Sequence, residues 1–177
     1  ELVRQLGDPK YKLGISHEAG DEGYDYANYV EDHARDHSVD LRMVSCHIGE
    51  ARGVNDKGEK LFSLWDGYPH AGFVTYTSLY EGFGNAFLEA VYFRKPILIN
   101  RYEVFVRDIE PQEFDLVVMD GFITDSVVNQ VREVLESPER RDRMVNHNYV
   151  VATRHYSYSV LRKRLAFLIA NFFGIEI

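Results

Sequence analysis

The run Glu81-Gly82-Phe83-Gly84-Asn85-Ala86-Phe87-Leu88-Glu89-Ala90 constrains this chain more than any other segment. It starts with a carboxylate, passes through two glycines and enters an apolar helical pattern that carries a second carboxylate. Phe73-Val74-Thr75-Tyr76, just before it, reads as a buried strand, and Lys95-Pro96-Ile97-Leu98-Ile99, just after it, reads as the next. Strand, glycine turn, helix and strand make a βαβ unit, whose right-handed crossover sets the two strands parallel. The turn then lies at the carboxyl edge of the sheet, where open α/β folds bind ligands.

The rest of the chain extends this pattern. Tyr11 to Ser16 reads as a first strand, and Glu22 to His37 as a helix with Tyr26, Ala27, Val30 and Ala34 on one stripe. Leu41 to Cys46 reads as a second strand, followed by a polar loop punctuated by Gly49, Gly53 and Gly58. Leu61, Leu64 and Trp65 restart a helical pattern that stops near Gly67 and Pro69. Phe114 to Met119 reads as another strand. A helix capped by Asp125 or Ser126 carries Val127, Val128, Val131, Val134 and Leu135. Ser137-Pro138 opens a further helix with Met144, Val145, Tyr149 and Ala152 inward. The last helix aligns Leu161, Leu165, Leu168 and Phe172. Alternating strands and helices imply a mainly parallel sheet covered on both faces.

Length and charge narrow the function. The 177 residues suit one domain, read here as residues 1–177. Twenty basic against 28 acidic residues leave a net charge of -8, which argues against a nucleic-acid partner. The single cysteine, Cys46, excludes a disulfide framework and a cysteine-rich metal site, and fits a reducing, cytoplasmic setting. The apolar stretch from Leu165 to Phe173 is too short for a transmembrane segment. It reads as the face of a core-packed helix. Leu2, Val3 and Leu6 show helical spacing at once, with no initiating methionine, so the chain reads as a fragment of a longer protein.

Gly82 and Gly84 let a ligand approach the backbone, and the helix that follows exposes unpaired amides and the positive end of its dipole. Both suit a phosphate. Glu81 and Glu89 would repel a phosphate, and their partners are hydroxyl groups. A molecule with a central diphosphate and hydroxyl-rich rings at both ends fits this division. The plainer reading is a helix start stabilised by Glu81, with Glu89 on a solvated face.

The Glu-Gly-Phe-Gly turn, with seven residues between Glu81 and Glu89, followed by Ala90 and Pro96, resembles the donor-site signature of retaining GT-B glycosyltransferases of the group 1 family. Thr75-Tyr76-Thr77-Ser78 and Lys95-Pro96-Ile97 resemble the same segment. The resemblance implies one half of a GT-B fold: a Rossmann-like three-layer αβα sandwich acting as the C-terminal, nucleotide-sugar-binding domain. Glu81 would contact the transferred sugar as the catalytic-site carboxylate. The backbone of Gly82, Phe83, Gly84 and Asn85 would sit against the sugar and diphosphate, and Glu89 would take the ribose hydroxyls.

The resemblance further implies transfer of a hexosyl unit, with retention, from a UDP-, GDP- or ADP-type sugar to a hydroxyl acceptor. No bound metal and no separate cofactor are implied. A missing N-terminal domain would bind most of the acceptor and cover part of the last helix. The family's Arg and Lys pair has no counterpart here, since Arg4 and Lys10 stand in the wrong context, so the isolated chain is expected to be inactive. Gly72 and Thr77 replace the usual Asp and Pro. A nucleotide-sugar epimerase half-domain and a non-catalytic nucleotide- or carbohydrate-binding module are the alternatives.

Other groups carry weaker signals. His33 and His37 have metal-ligand spacing but fit the last turn of a solvated helix. His47 falls on the ligand edge, and the nucleobase would lie near Cys46 to Gly49. Arg94, Lys95, Arg101 and Arg107 read as solvated surface. His155, Tyr156 and Tyr158 read as packing for the last helix, and the Phe83 ring reads as a core anchor.

Overall fold

The structure, a computed structural model, describes residues 1–16 and 24–174. The start of the helix read from Glu22 lies outside the described residues. The chain divides into two compact units, Glu1–Gly72 with Ile123–Arg132, and Phe73–Phe122 with the chain from Glu133 onward.

In the first unit, α1 (Leu2–Leu6) ends on Gly7 at φ 71°, a left-handed cap that favours glycine. β1 (Leu13–Ile15) and β2 (Leu41–Met43) pair in parallel, Leu13 with Leu41 and Ile15 with Met43, with α2 (Tyr24–Asp36) between them in sequence. The strand read to Cys46 stops at Met43. Ser45–His47 turns as a short 3-10 helix, which leaves Cys46 exposed at a bend rather than in a strand.

The glycine-punctuated loop is ordered more than its polarity suggests. β3 (Ile48–Gly49) runs parallel to β5 (Lys60–Ser63), and β4 (Gly53–Val54) pairs antiparallel with β5. The Asn55 side chain closes that hairpin by accepting from the amides of Lys57 and Glu59, and Gly58 takes φ 79°. Leu61 therefore belongs to a strand, not to the start of a helix. The helix α3 covers Leu64–Gly67, held by Asp66, which accepts from the amide and hydroxyl of Ser63, and a 3-10 turn at Tyr68–His70 follows it.

The second unit carries the βαβ segment as the sequence implies. β6 (Val74–Tyr76), β7 (Ile97–Asn100) and β8 (Val117–Met119) form one parallel sheet in that order. Ile97, Leu98 and Ile99 are fully buried, as a central parallel strand requires. α4 (Asn85–Tyr92) follows β6 and buries Phe87, Ala90 and Val91. α6 (Pro138–Tyr156) packs on α4, with Met144, Val145 and Val151 inward. α5 (Asp125–Glu136), most of which belongs to the first unit, precedes α6 in the chain, and its Val127, Val128, Val131 and Val134 are buried as the periodicity predicts.

Two elements differ from the sequence reading. β8 starts at Val117 rather than Phe114 because α6 claims the residues ahead of it. Asn148 exchanges two hydrogen bonds with the backbone of Asp115, at 2.8 and 2.7 Å, and Arg140 grips the Asp115 carboxylate at 2.6 and 2.7 Å. Backbone committed to a helix side chain cannot join the ladder. α7 (Tyr158–Phe173) is not core-packed. Leu161, Leu165, Leu168 and Phe172 are exposed, Tyr158 is 87% exposed, and Ala170 is the buried residue of this helix.

Candidate functional site

Because β6, β7 and β8 are parallel, their following loops share one edge. Asn100 ties these loops together. Its side chain, 3% exposed at the end of β7, donates to the carbonyl of Ser78 at 3.2 Å and accepts from the amide of Gly121 at 2.9 Å. One buried amide thus fixes the loops after β6 and β8. The loop after β6 carries Glu81.

A recess of about 400 Å³ opens there, lined by Leu79, Tyr80, Glu81, Gly82, Glu103 and Val104. Two carboxylates, Glu81 and Glu103, face it from different loops. Gly82 leaves its side-chain direction open, with no atom within 4 Å. The recess therefore offers acceptors for hydroxyl groups beside an accessible backbone.

Gly84 has a different role. At φ 85° it takes a conformation that other residues resist, and a Cβ there would lie 2.9 Å from the hydroxyls of both Tyr76 and Tyr102. A side chain at Gly84 would collide with those tyrosines, so the two glycines are not equivalent: Gly82 is open and Gly84 is packed against them. Tyr102 is 2% exposed and donates to the carbonyl of Phe83 at 3.2 Å. Burial, reinforced by the negative charge of Glu81, pushes its hydroxyl up to about 12, so it stays a proton donor at neutral pH.

From this clamp the chain enters α4. Gly84 is its N-cap, and no side chain caps the first turn. The Phe87 amide donates to the Gly84 carbonyl at 3.1 Å, and no side chain caps the amides of Asn85 and Ala86 ahead of it. Asn85 is exposed, and Glu89 is half-buried one turn on. The Phe83 ring is half-buried; it packs on Tyr156, with centroids 5.0 Å apart, and lines a second recess rather than the first. The structure thus brings Glu81 and Gly82 into one recess, sets Phe83 and Gly84 as its support, and leaves Glu89 out of the lining.

Sequence reasoning missed Tyr76, Asn100, Tyr102 and Glu103. Tyr76 and Asn100 end their strands, so polar groups at strand carboxyl ends were the available signal. Tyr102 and Glu103 precede an irregular π-turn, Phe105–Ile109, and no periodicity marks them. Arg94, Arg101 and Arg107 lie on the exposed surface, as read, and each has a local partner. Arg94 sits on the Tyr149 ring and bonds Asn146, Arg101 pairs with Glu110, and Arg107 pairs with Asp108.

The His33 and His37 rings meet at a tilt with centroids 4.2 Å apart, and His37 Nδ1 shares a 2.9 Å hydrogen bond with the His33 carbonyl. No group of three or more His, Cys, Asp or Glu among the described residues is placed to hold a metal. No helix among them is long and apolar enough to cross a membrane.

These features define a Rossmann-like α/β half of the GT-B plan with a polar recess at the carboxyl edge. The chain is similar in fold to the C-terminal domain of a glycosyl transferase group 1 family protein from Francisella tularensis, with a TM-score of 0.65 and 16% identity over 89% of this chain and 75% of that one. Residues 59–151 match the family described as glycosyl transferases group 1, and the chain belongs to that family. It is 33% identical over 158 residues to a mannosylglucosylglycerate synthase from Thermotoga maritima, covering 82% of this chain and 35% of the relative. A second mannosylglucosylglycerate synthase, from Petrotoga mobilis, is 36% identical over 104 residues, covering 59% of this chain and 22% of the relative. The chain thus spans about a third or less of these relatives.

Proposed function

We propose that this chain is the donor-binding domain of a glycosyltransferase that moves a hexosyl unit, with retention, from a nucleoside diphosphate sugar to a hydroxyl acceptor. One observation carries the reading. Glu81 and Gly82 line a recess on the sheet edge, immediately before a helix whose first turn no side chain caps. Carboxylates suit sugar hydroxyls, and uncapped amides with the helix dipole suit a diphosphate.

In this reading Glu81 orients the transferred sugar, with Glu103 opposite it in the same recess. The backbone of Gly82, Phe83, Gly84 and Asn85 lies along the diphosphate, and Glu89 takes the ribose. Positioning and charge stabilisation carry the rate, because the leaving diphosphate gathers negative charge where the amides point. The reading assigns no role to a metal or a separate cofactor. The relatives' names, synthases of a mannosyl glycoside, support a sugar-transfer reaction. The acceptor would be held mainly by sequence outside this chain. A cytoplasmic setting belongs to the same proposal and is supported by the one-cysteine composition.

Glu81→Gln tests it. Transfer by the whole protein should fall at least about 100-fold, the loss expected when an orienting contact in the transition state is removed, while the melting temperature stays within a degree or two. Transfer that survives the substitution would remove Glu81 from the site.

A further inference from the structure

A second recess, of about 370 Å³, lies in the same unit behind the Glu81 turn. Its floor is aromatic. Phe83 and Tyr156 pack there, and the Tyr156 hydroxyl is fixed by donating to the carbonyl of Asp108 at 2.9 Å. Phe83 connects the two recesses, since its chain neighbours Glu81 and Gly82 line the first and its ring lines the second.

The walls are polar, and Arg164 is their one cation without a carboxylate partner among the described residues. Arg107, Gln112, His155 and Arg164 face the space together with Asp108. Arg107 is already matched, with its Nε and Nη2 each donating to an Asp108 carboxylate oxygen at 2.9 Å. Arg164 has no carboxylate partner among the described residues, and His155 has no hydrogen-bond partner among them. A guanidinium with no carboxylate partner, lining a recess that Phe83 and Tyr156 also line, stands out in a chain whose net charge is -8. A solvated arginine on an open helix face needs no recess. This one borders a concavity large enough for a monosaccharide-sized molecule. An aromatic floor accepts the C–H face of a sugar ring, Gln112 can bond hydroxyls, and a guanidinium selects a carboxylate or phosphate.

We propose that this recess is a subsite for the anionic group, carboxylate or phosphate, of a small hydroxylated ligand, with Arg164 and His155 as its primary contacts. That the ligand takes part in sugar transfer rests on the function proposed above. The anion subsite itself does not.

Three matched probes test it: glucuronate, glucose 6-phosphate and glucose, which share a ring and differ in the acidic group. Each is titrated into the protein by calorimetry. Glucuronate or glucose 6-phosphate should bind at least tenfold tighter than glucose. Preference for glucuronate identifies the ligand as a carboxylate and preference for glucose 6-phosphate as a phosphate, and either supports the site. Arg164→Gln should weaken the preferred acid about tenfold and leave glucose unchanged. Arg164 is exposed, so folding should persist, and His155→Gln provides a second variant with the same expected direction. Acids that bind no tighter than glucose, or binding that neither variant alters, would overturn the proposal. Glu81→Gln keeps the two readings separate. Intact acid binding without Glu81-dependent transfer would leave the subsite and remove Glu81 from the transfer site, and the converse would remove the subsite alone.

Discussion

Gly84 and Gly82 stand two residues apart and obey different constraints. A methyl group at Gly84 meets two tyrosine hydroxyls and a backbone that resists a side chain. Gly84→Ala should therefore cost about 2–4 kcal/mol, from strain and displaced packing together, as measured by urea unfolding. Gly82→Ala meets nothing and should change stability by less than about 0.5 kcal/mol. Equal losses at the two positions would contradict this geometry.

Tyr102 supplies a pH signature at the same scale. Its folded value of about 12 lies above the ordinary 10, so the folded state holds the proton more tightly. The stability it contributes is fully present below pH 10 and is lost as pH rises through 12. Tyr102→Phe should lower stability at neutral pH by about 1 kcal/mol, through the hydrogen bond lost to Phe83. It should also flatten the decline between pH 10 and 12, followed by chemical unfolding across that range. An unchanged alkaline limb would mean that Tyr102 does not titrate as a buried group.

At the scale of elements, side chains rather than strands set where β8 begins. Asn148 is 1% exposed and satisfies both the amide and the carbonyl of Asp115. Asn148→Ala leaves two half-buried backbone groups without this partner and should cost about 1–2 kcal/mol, read as a shift in the urea midpoint at constant slope. A loss under about 0.5 kcal/mol would show that water replaces the amide freely. The same residues show what the sequence could and could not reveal. The segment from β6 through α4 to β7 was legible because Ile97-Leu98-Ile99, the two glycines and the α4 periodicity agree with one another. α5 and α6 were legible from their apolar stripes and the Ser137-Pro138 start. The hairpin at Asn55 to Glu59 was hidden because its strands, β4 and β5, have only two and four residues. Of the site, Glu81 and Gly82 were readable in the motif. Tyr102 and Glu103 were not, because register and an irregular turn bring them to the recess.

For the chain as a whole, the family assignment and the fold agree, and the two units divide the elements without dividing the motif. Phe73–Phe122 holds Glu81, Gly82, Tyr102 and Glu103 in one unit. The exposed apolar side chains of α7 distinguish this chain from one whose helices are all buried. The central claim is that the turn from Glu81 into α4 grips a nucleoside diphosphate, and a thermal melt titrated with UDP, GDP and ADP tests it most directly. At ten times the dissociation constant, binding adds about 1.4 kcal/mol. In a chain of this size that is a rise of roughly 3–6 °C. The account predicts such a rise with at least one of the three nucleotides, abolished by Glu89→Gln. A melting temperature unmoved by all three, at 10 mM or above, would contradict it.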